Sequence, residues 1–166
     1  MAEKSRQRQY SWSDPHATHG QHVSLSGLDF ISSLARGEID HSPAAHTLGF
    51  RVTKAESGSA TIDLTPSEYH YNAVGSVHGG ILTSILDSAM GFAISTTLPP
   101  GVGYTSLDVT VQFIRAVTES TGTITATGTA QHTGKTTATA LGEIRDSTDR
   151  LIATATTRCM LFPAKE

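Results

Sequence analysis

The sequence predicts an α+β fold in which a curved antiparallel sheet wraps one long helix. Three observations carry that expectation: one strongly apolar stretch with helical periodicity, two alternating runs joined by a turn before it, and three or four alternating runs after it. The helical stretch lies in residues 71–97, YNAVGSVHGGILTSILDSAMGFAISTT. There Ile81, Leu82, Ile85, Leu86, Ala89, Met90 and Ala93 recur at i, i+3, i+4 spacing, and Ala89 and Gly91 are small enough for close packing. A helix apolar on nearly all sides must be covered. Asp87 interrupts it between Leu86 and Ser88, where a carboxylate is costly to desolvate unless it is hydrogen-bonded or faces a wet cavity.

Taken in order, residues 1–24 are polar and lack apolar periodicity, so they read as a flexible tail ahead of one domain spanning 25–166. His16, His19 and His22 recur every third residue, a metal-ligand spacing on a helix, but Pro15, Thr18 and Gly20 argue against a helix there, and no metal is expected. A short amphipathic helix follows, with Ser26 as N-cap, Leu28, Ile31 and Leu34 on one face and Gly37 as its stop; Pro43 to Leu48 begins a further turn that Gly49 ends. FRVTKAE and SATIDLTP form a hairpin around Ser57-Gly58, with Ala60, Ile62 and Leu64 pointing one way and Pro66 closing the second strand. After the long helix, Pro99-Pro100-Gly101 forces a loop. The strand SLDVTVQFI then sets Leu107, Val109, Val111 and Phe113 on one face against Ser106, Asp108, Thr110 and Gln112 on the other. From Thr121 to Gln131, threonines alternate with Ile124, Ala126, Gly128 and Ala130, small residues that leave room for the helix to lie close. KTTATALGEIRD returns, 146–150 turns again, and LIATATTRCMLF closes the sheet.

The 166 residues suffice for one domain with a core that needs no disulfide or metal. A net charge of −3 gives no global pull toward nucleic acid or membrane phosphates. Cys159 stands alone, which excludes an intrachain disulfide, fits a reducing compartment and suits a small core residue better than a nucleophile. The N-terminus shows no signal-peptide pattern and no stretch approaches membrane-spanning length, so a cytoplasmic protein is expected.

The chemistry gathers around the start of the long helix. Gly79 and Gly80 allow the backbone to approach a ligand, and the first helical N–H groups lack internal partners, so they can aim at an oxygen where negative charge develops; Asn72 can add its side-chain amide. The plainer alternatives are a tight turn at the glycines, a strand end at Asn72 and a structural hydrogen bond at Asp87. Asp87 lies eight residues beyond Gly79, roughly 12 Å along a helix, too far for both to touch one reacting carbon. If two copies cross with antiparallel helices, Gly79 of one faces Asp87 of the other.

The run NAVGSVHGGILTSILDSAMG, with its Asn, its Gly, its His-Gly-Gly and its helical Asp, resembles the PaaI-type acyl-CoA thioesterases of the hot-dog superfamily. The resemblance covers roughly 49–162 and implies a hot-dog fold and hydrolysis of a coenzyme A thioester to free acid and CoA. Asp87 would be base or nucleophile, while Gly79 and Asn72 would polarise the carbonyl. It implies sites shared between two copies of a homodimer or homotetramer, an orienting role for Ser106 with Thr105 beside it, and a structural, site-lining His78 next to Gly80. It also sets the CoA nucleotide near the hairpin tip with Gly134 and Lys135, with Arg115 and Arg158 as weaker cations. No separate cofactor is implied. Two other functions compete: a hot-dog hydratase or dehydratase, whose His-containing helical motif is absent here, and a non-catalytic acyl-CoA-binding protein, which only Asp87 argues against. No segment reads as a DNA-binding element.

Overall fold

Period-two alternation is realised in six strands that form one antiparallel sheet: β1 (Phe50–Glu56), β2 (Ser59–Leu64), β3 (Val102–Phe113), β4 (Ile124–Thr133), β5 (Thr137–Asp146) and β6 (Leu151–Pro163), in the order β1-β2-β4-β5-β6-β3. This is a computed structural model, and it describes residues 5–163. Four helices accompany the sheet: α1 (Pro15–Ser24), α2 (Gly27–Arg36), α3 (Pro43–Leu48) and α4 (Gly79–Ser95). The α4 helix is the filling around which the sheet curves, so the arrangement is the expected hot-dog fold.

The small residues on β4 and β5 explain how closely sheet and helix meet. Gly128 and Gly142 pair directly across the two strands. A Cβ on Gly128 would lie 2.1 Å from the carbonyl oxygen of Ala89, and one on Gly142 would lie 2.9 Å from Met90 Cγ. The helix backbone therefore rests on bare strand backbone, flanked by the buried side chains of Leu86, Met90, Ala126 and Ile144. Ala60, Ile62 and Leu64 are buried on the same inner face, and Gly58, at φ 79°, turns their hairpin.

The local helix signals hold. Ser26 Oγ accepts from Asp29 N–H, and the left-handed Gly37 and Gly49 close α2 and α3. The tail requires correction, because α1 occupies a segment expected to be structureless. Pro15 stands at the first helical position, where a missing N–H costs nothing, and the Asp14 carboxylate accepts from His16 N–H at 2.9 Å. The helix docks onto the domain through a Gly101 N–H bond to Val23 C=O and a His22 ring set 4.7 Å from that of Phe30. Residues 1–4 of the expected tail, 164–166 of the expected domain and the side chain of His19 lie outside the described residues. Among those described, no group of three or more His, Cys, Asp or Glu side chains is disposed to hold a metal ion, and no helix is long and apolar enough to cross a membrane.

A second correction falls on β3. Its register with β6 slips between Ser106 and Asp108, leaving Leu107 in a bulge. Ser106 pairs with the buried Cys159, and Val109 and Val111 pair with the buried Thr157 and Ala155, so Ser106 joins the valines on the inner face. Simple alternation had set it outward with Asp108, Thr110 and Gln112. Leu107, expected inward, is 52 % exposed, and Phe113, at the end of the strand, is 54 % exposed.

Candidate active site

Asp87 lies on a partly exposed side of α4, in line with Ser84, Ser88 and Phe92. Ser106 Oγ donates to Asp87 Oδ1 at 2.7 Å, a contact that follows from the serine's inward place opposite Cys159. The buried thiol of Cys159 lies 3.9 Å behind the Ser106 hydroxyl. Burial pushes that thiol up from its ordinary pKa, against its contacts with the Ser106 and Thr157 hydroxyls, so it stays protonated and inert as a nucleophile. This pairing gives the carboxylate one fixed oxygen and leaves the other for chemistry.

The carboxylate opens onto a cavity of about 260 Å³ shared with Phe30, His41, Phe50, Phe92 and Tyr104. Tyr104 was not singled out in the sequence. Its ring lies over Gly91, where a Cβ would sit 2.6 Å from the phenol oxygen, and burial, aided by the charge of Asp87 and by Cys159, raises the phenol pKa and keeps it a neutral donor. The available signal was Gly91 itself, a residue without a side chain one turn beyond Asp87. The α2 and α3 residues carried no comparable signal, since nothing local says which helix will wall a cavity.

The start of α4 is built differently. His78 is the N-cap, and its Nδ1 accepts from Gly80 N–H at 2.9 Å. That contact occupies the Gly80 donor. Gly79 N–H, at the first helical position, has no preceding turn to donate to. Gly79 faces a second cavity of about 290 Å³ with Ser76, Leu82, Phe113 and Arg115 around it. Asn72 holds the loop leading there: its Oδ1 accepts from Val74 N–H at 2.9 Å and from Ser76 N–H at 3.3 Å, and its Nδ2 donates to Ser76 Oγ at 3.1 Å. The asparagine thus shapes the approach to Gly79, with one amide hydrogen left over.

The other expected site residues are dispersed. Thr105 is exposed and pairs with exposed Met160, so it lies on the outer face of β3, away from Asp87. Gly134 donates its N–H to Thr137 C=O within the β4–β5 hairpin, and Lys135 is exposed at the same tip. A Thr97–Thr133 hydroxyl contact of 2.9 Å ties that hairpin to the far end of α4. The helix has 17 residues, about 24 Å, so Lys135 and Gly79 of one chain lie far apart. Arg115 donates to Leu151 C=O and Arg158 pairs with Asp108 at 2.9 Å. Of these cations only Arg115 borders a candidate cavity.

The fold is that of the hot-dog proteins, and the model of the thioesterase superfamily matches residues 74–153. The chain is similar to the PaaI protein of the Escherichia coli phenylacetic acid degradation operon, at 26 % identity and a TM-score of 0.72 over 86 % of this chain and 99 % of that one. A phenylacetic acid degradation-related protein from Ralstonia eutropha matches at 28 % identity and 0.70 over 78 % and 98 %. Among curated relatives, a 1,4-dihydroxy-2-naphthoyl-CoA hydrolase from Listeria monocytogenes is 25 % identical over 120 residues, 72 % of this chain and 94 % of that protein.

Proposed function

We propose that the chain is an acyl-CoA thioesterase whose sites form between two copies, with Asp87 and Ser106 from one and Gly79 from the other. The observation that supports this most is the separation of the two half-sites: a serine-fixed carboxylate in one cavity and a free helical N–H in another, about 12 Å apart along one helix. Crossing two such helices antiparallel brings one half of each together twice. The hydrolase from Listeria monocytogenes takes an aryl-CoA by name, which favours a CoA thioester as substrate.

In this reading the thioester carbonyl oxygen accepts from Gly79 N–H at the positive end of α4, where charge develops during attack. Asp87 takes a proton from water as the water oxygen bonds to the carbonyl carbon. The tetrahedral intermediate collapses, the carbon–sulfur bond breaks, and the proton passes from Asp87 to the departing CoA sulfur. Ser106 holds one carboxylate oxygen throughout. Asn72 keeps the 72–76 loop in place, and Arg115 supplies positive charge at the mouth of the Gly79 cavity.

Mixing two inactive variants tests the shared site. Asp87→Ala damages the carboxylate half and Asn72→Ala the carbonyl half. Hybrid dimers then carry one doubly damaged site and one intact site, so activity returns to roughly half per hybrid if the sites are independent. Hybrids verified by mass spectrometry that remain inactive would place both residues in one site of one chain and overturn the reading.

A further inference from the structure

We infer that His41 is a specificity-determining residue, donating from Nδ1–H into the Asp87 cavity and favouring acyl groups that carry a hydrogen-bond acceptor away from the thioester carbonyl. This rests on the proposed site for the location of the acyl group. His41 and Asp87 are far apart in sequence, yet they wall the same cavity. The imidazole is half-buried, and its Nε2 accepts from the Val52 backbone N–H at 2.9 Å. An N–H donor at that distance requires an unprotonated Nε2, so the ring proton is on Nδ1.

The ring stays neutral as well. Burial, then the nearby His46, lower its pKa, with Arg51 adding and Asp40 opposing. Nδ1 itself meets no partner among the described residues, and the one buried side-chain polar atom there without a partner is Ser95 Oγ. Nδ1–H is therefore left without a protein acceptor, on a residue that lines this cavity. Phe30, Leu34, Ala45, Phe50 and Phe92 supply the apolar part of its wall, beside the hydroxyl-bearing Thr18, Ser42, Ser88, Tyr104 and Ser106. A bare hydrocarbon filling such a pocket strips water from the donor without replacing it, whereas an acyl group with a suitably placed oxygen satisfies it.

Two near-isosteric pairs test this: the 3- and 4-methoxybenzoyl compounds against the 3- and 4-ethylbenzoyl ones. They are prepared both as CoA thioesters and as CoA ketones in which CH₂ replaces the reactive sulfur. At one or both ring positions the wild-type protein should bind the methoxy ketone about tenfold more tightly than the ethyl ketone. His41→Gln presents an acceptor to Val52 but removes the Nδ1 donor, so its thermal midpoint should hold within about 2 °C while the preference disappears. His41→Asn retains a donor in the place of Nδ1 and should retain the preference. Equal binding of both partners at both positions, a preference that survives His41→Gln, or no binding of any ketone would overturn the inference. Ketone preference without thioester cleavage would instead overturn the proposed hydrolysis and leave the role of His41 standing.

Discussion

The two ends of the α4 working surface are held by opposite devices. At Gly79 the proposed functional group is the backbone N–H, and its surroundings are fixed by neighbours: His78 occupies the Gly80 donor, Asn72 closes its loop on itself, and Phe113 stands against the bare Cα, 3.1 Å from where a Cβ would be. At Asp87 the proposed functional group is a side chain, and its position depends on a distant strand, through Ser106 and the bulge at Leu107. The first device is local and written in consecutive residues. The second is assembled by strand register, so one inserted or deleted residue far from α4 can undo it.

Three substitutions separate these devices, beginning with the largest effect. Asp87→Asn preserves shape but removes the proton acceptor, so kcat should fall about 10²- to 10⁴-fold while binding of the CoA ketones stays nearly intact. A kcat within about tenfold of wild type would make Asp87 a structural residue, and the comparison would lose its second half.

Next comes the bulge. Ser106→Ala removes one hydrogen bond to a charged group and should lower kcat about ten- to hundredfold. Deleting Leu107 removes the extra residue and leaves Ser106 opposite Cys159 and Asp108 opposite Arg158 in plain alternation, so Ser106 stays inward and kcat should remain within about threefold of wild type. A loss as large as that of Ser106→Ala would show that the bulge does more than place the serine.

The smallest effect belongs to the helix cap. His78→Ala leaves Gly80 N–H without its acceptor and should cost about 1 kcal/mol, a midpoint drop of roughly 2–4 °C for a chain of this size, with kcat changed less than about threefold. Turnover falling as far as in Asp87→Asn would move His78 from capping to chemistry.

Wherever a feature depends on neighbours in sequence, residues alone were informative. The caps at Ser26, Gly37 and Gly49, the hairpin at Gly58, the apolar face of α4 and the Gly-Gly start of that helix all follow from backbone preferences spanning a few residues. Even the close approach of α4 to β4 was implied by Gly128 and its alanine neighbours, because absent side chains leave a measurable gap. The α1 helix shows where local signals conflict: Gly20 disfavours it by about 1 kcal/mol, while the Asp14 cap and the docking of His22 on Phe30 favour it, and the docking is visible only in the fold.

The sequence by itself determined the class of fold and singled out Asp87 and the Gly-Gly helix start as candidates, because each stands out in periodicity or in consecutive residues. Tertiary structure alone decided that Ser106 turns inward to Asp87 while Thr105 turns away, and that Tyr104 and His41 border the same cavity. The physical reason is common to these cases: a strand residue takes its face from pairing with a partner 53 residues away, Ser106 against Cys159, and a cavity wall is recruited from whichever helices the core draws over it. Neither quantity is a property of a local stretch of chain.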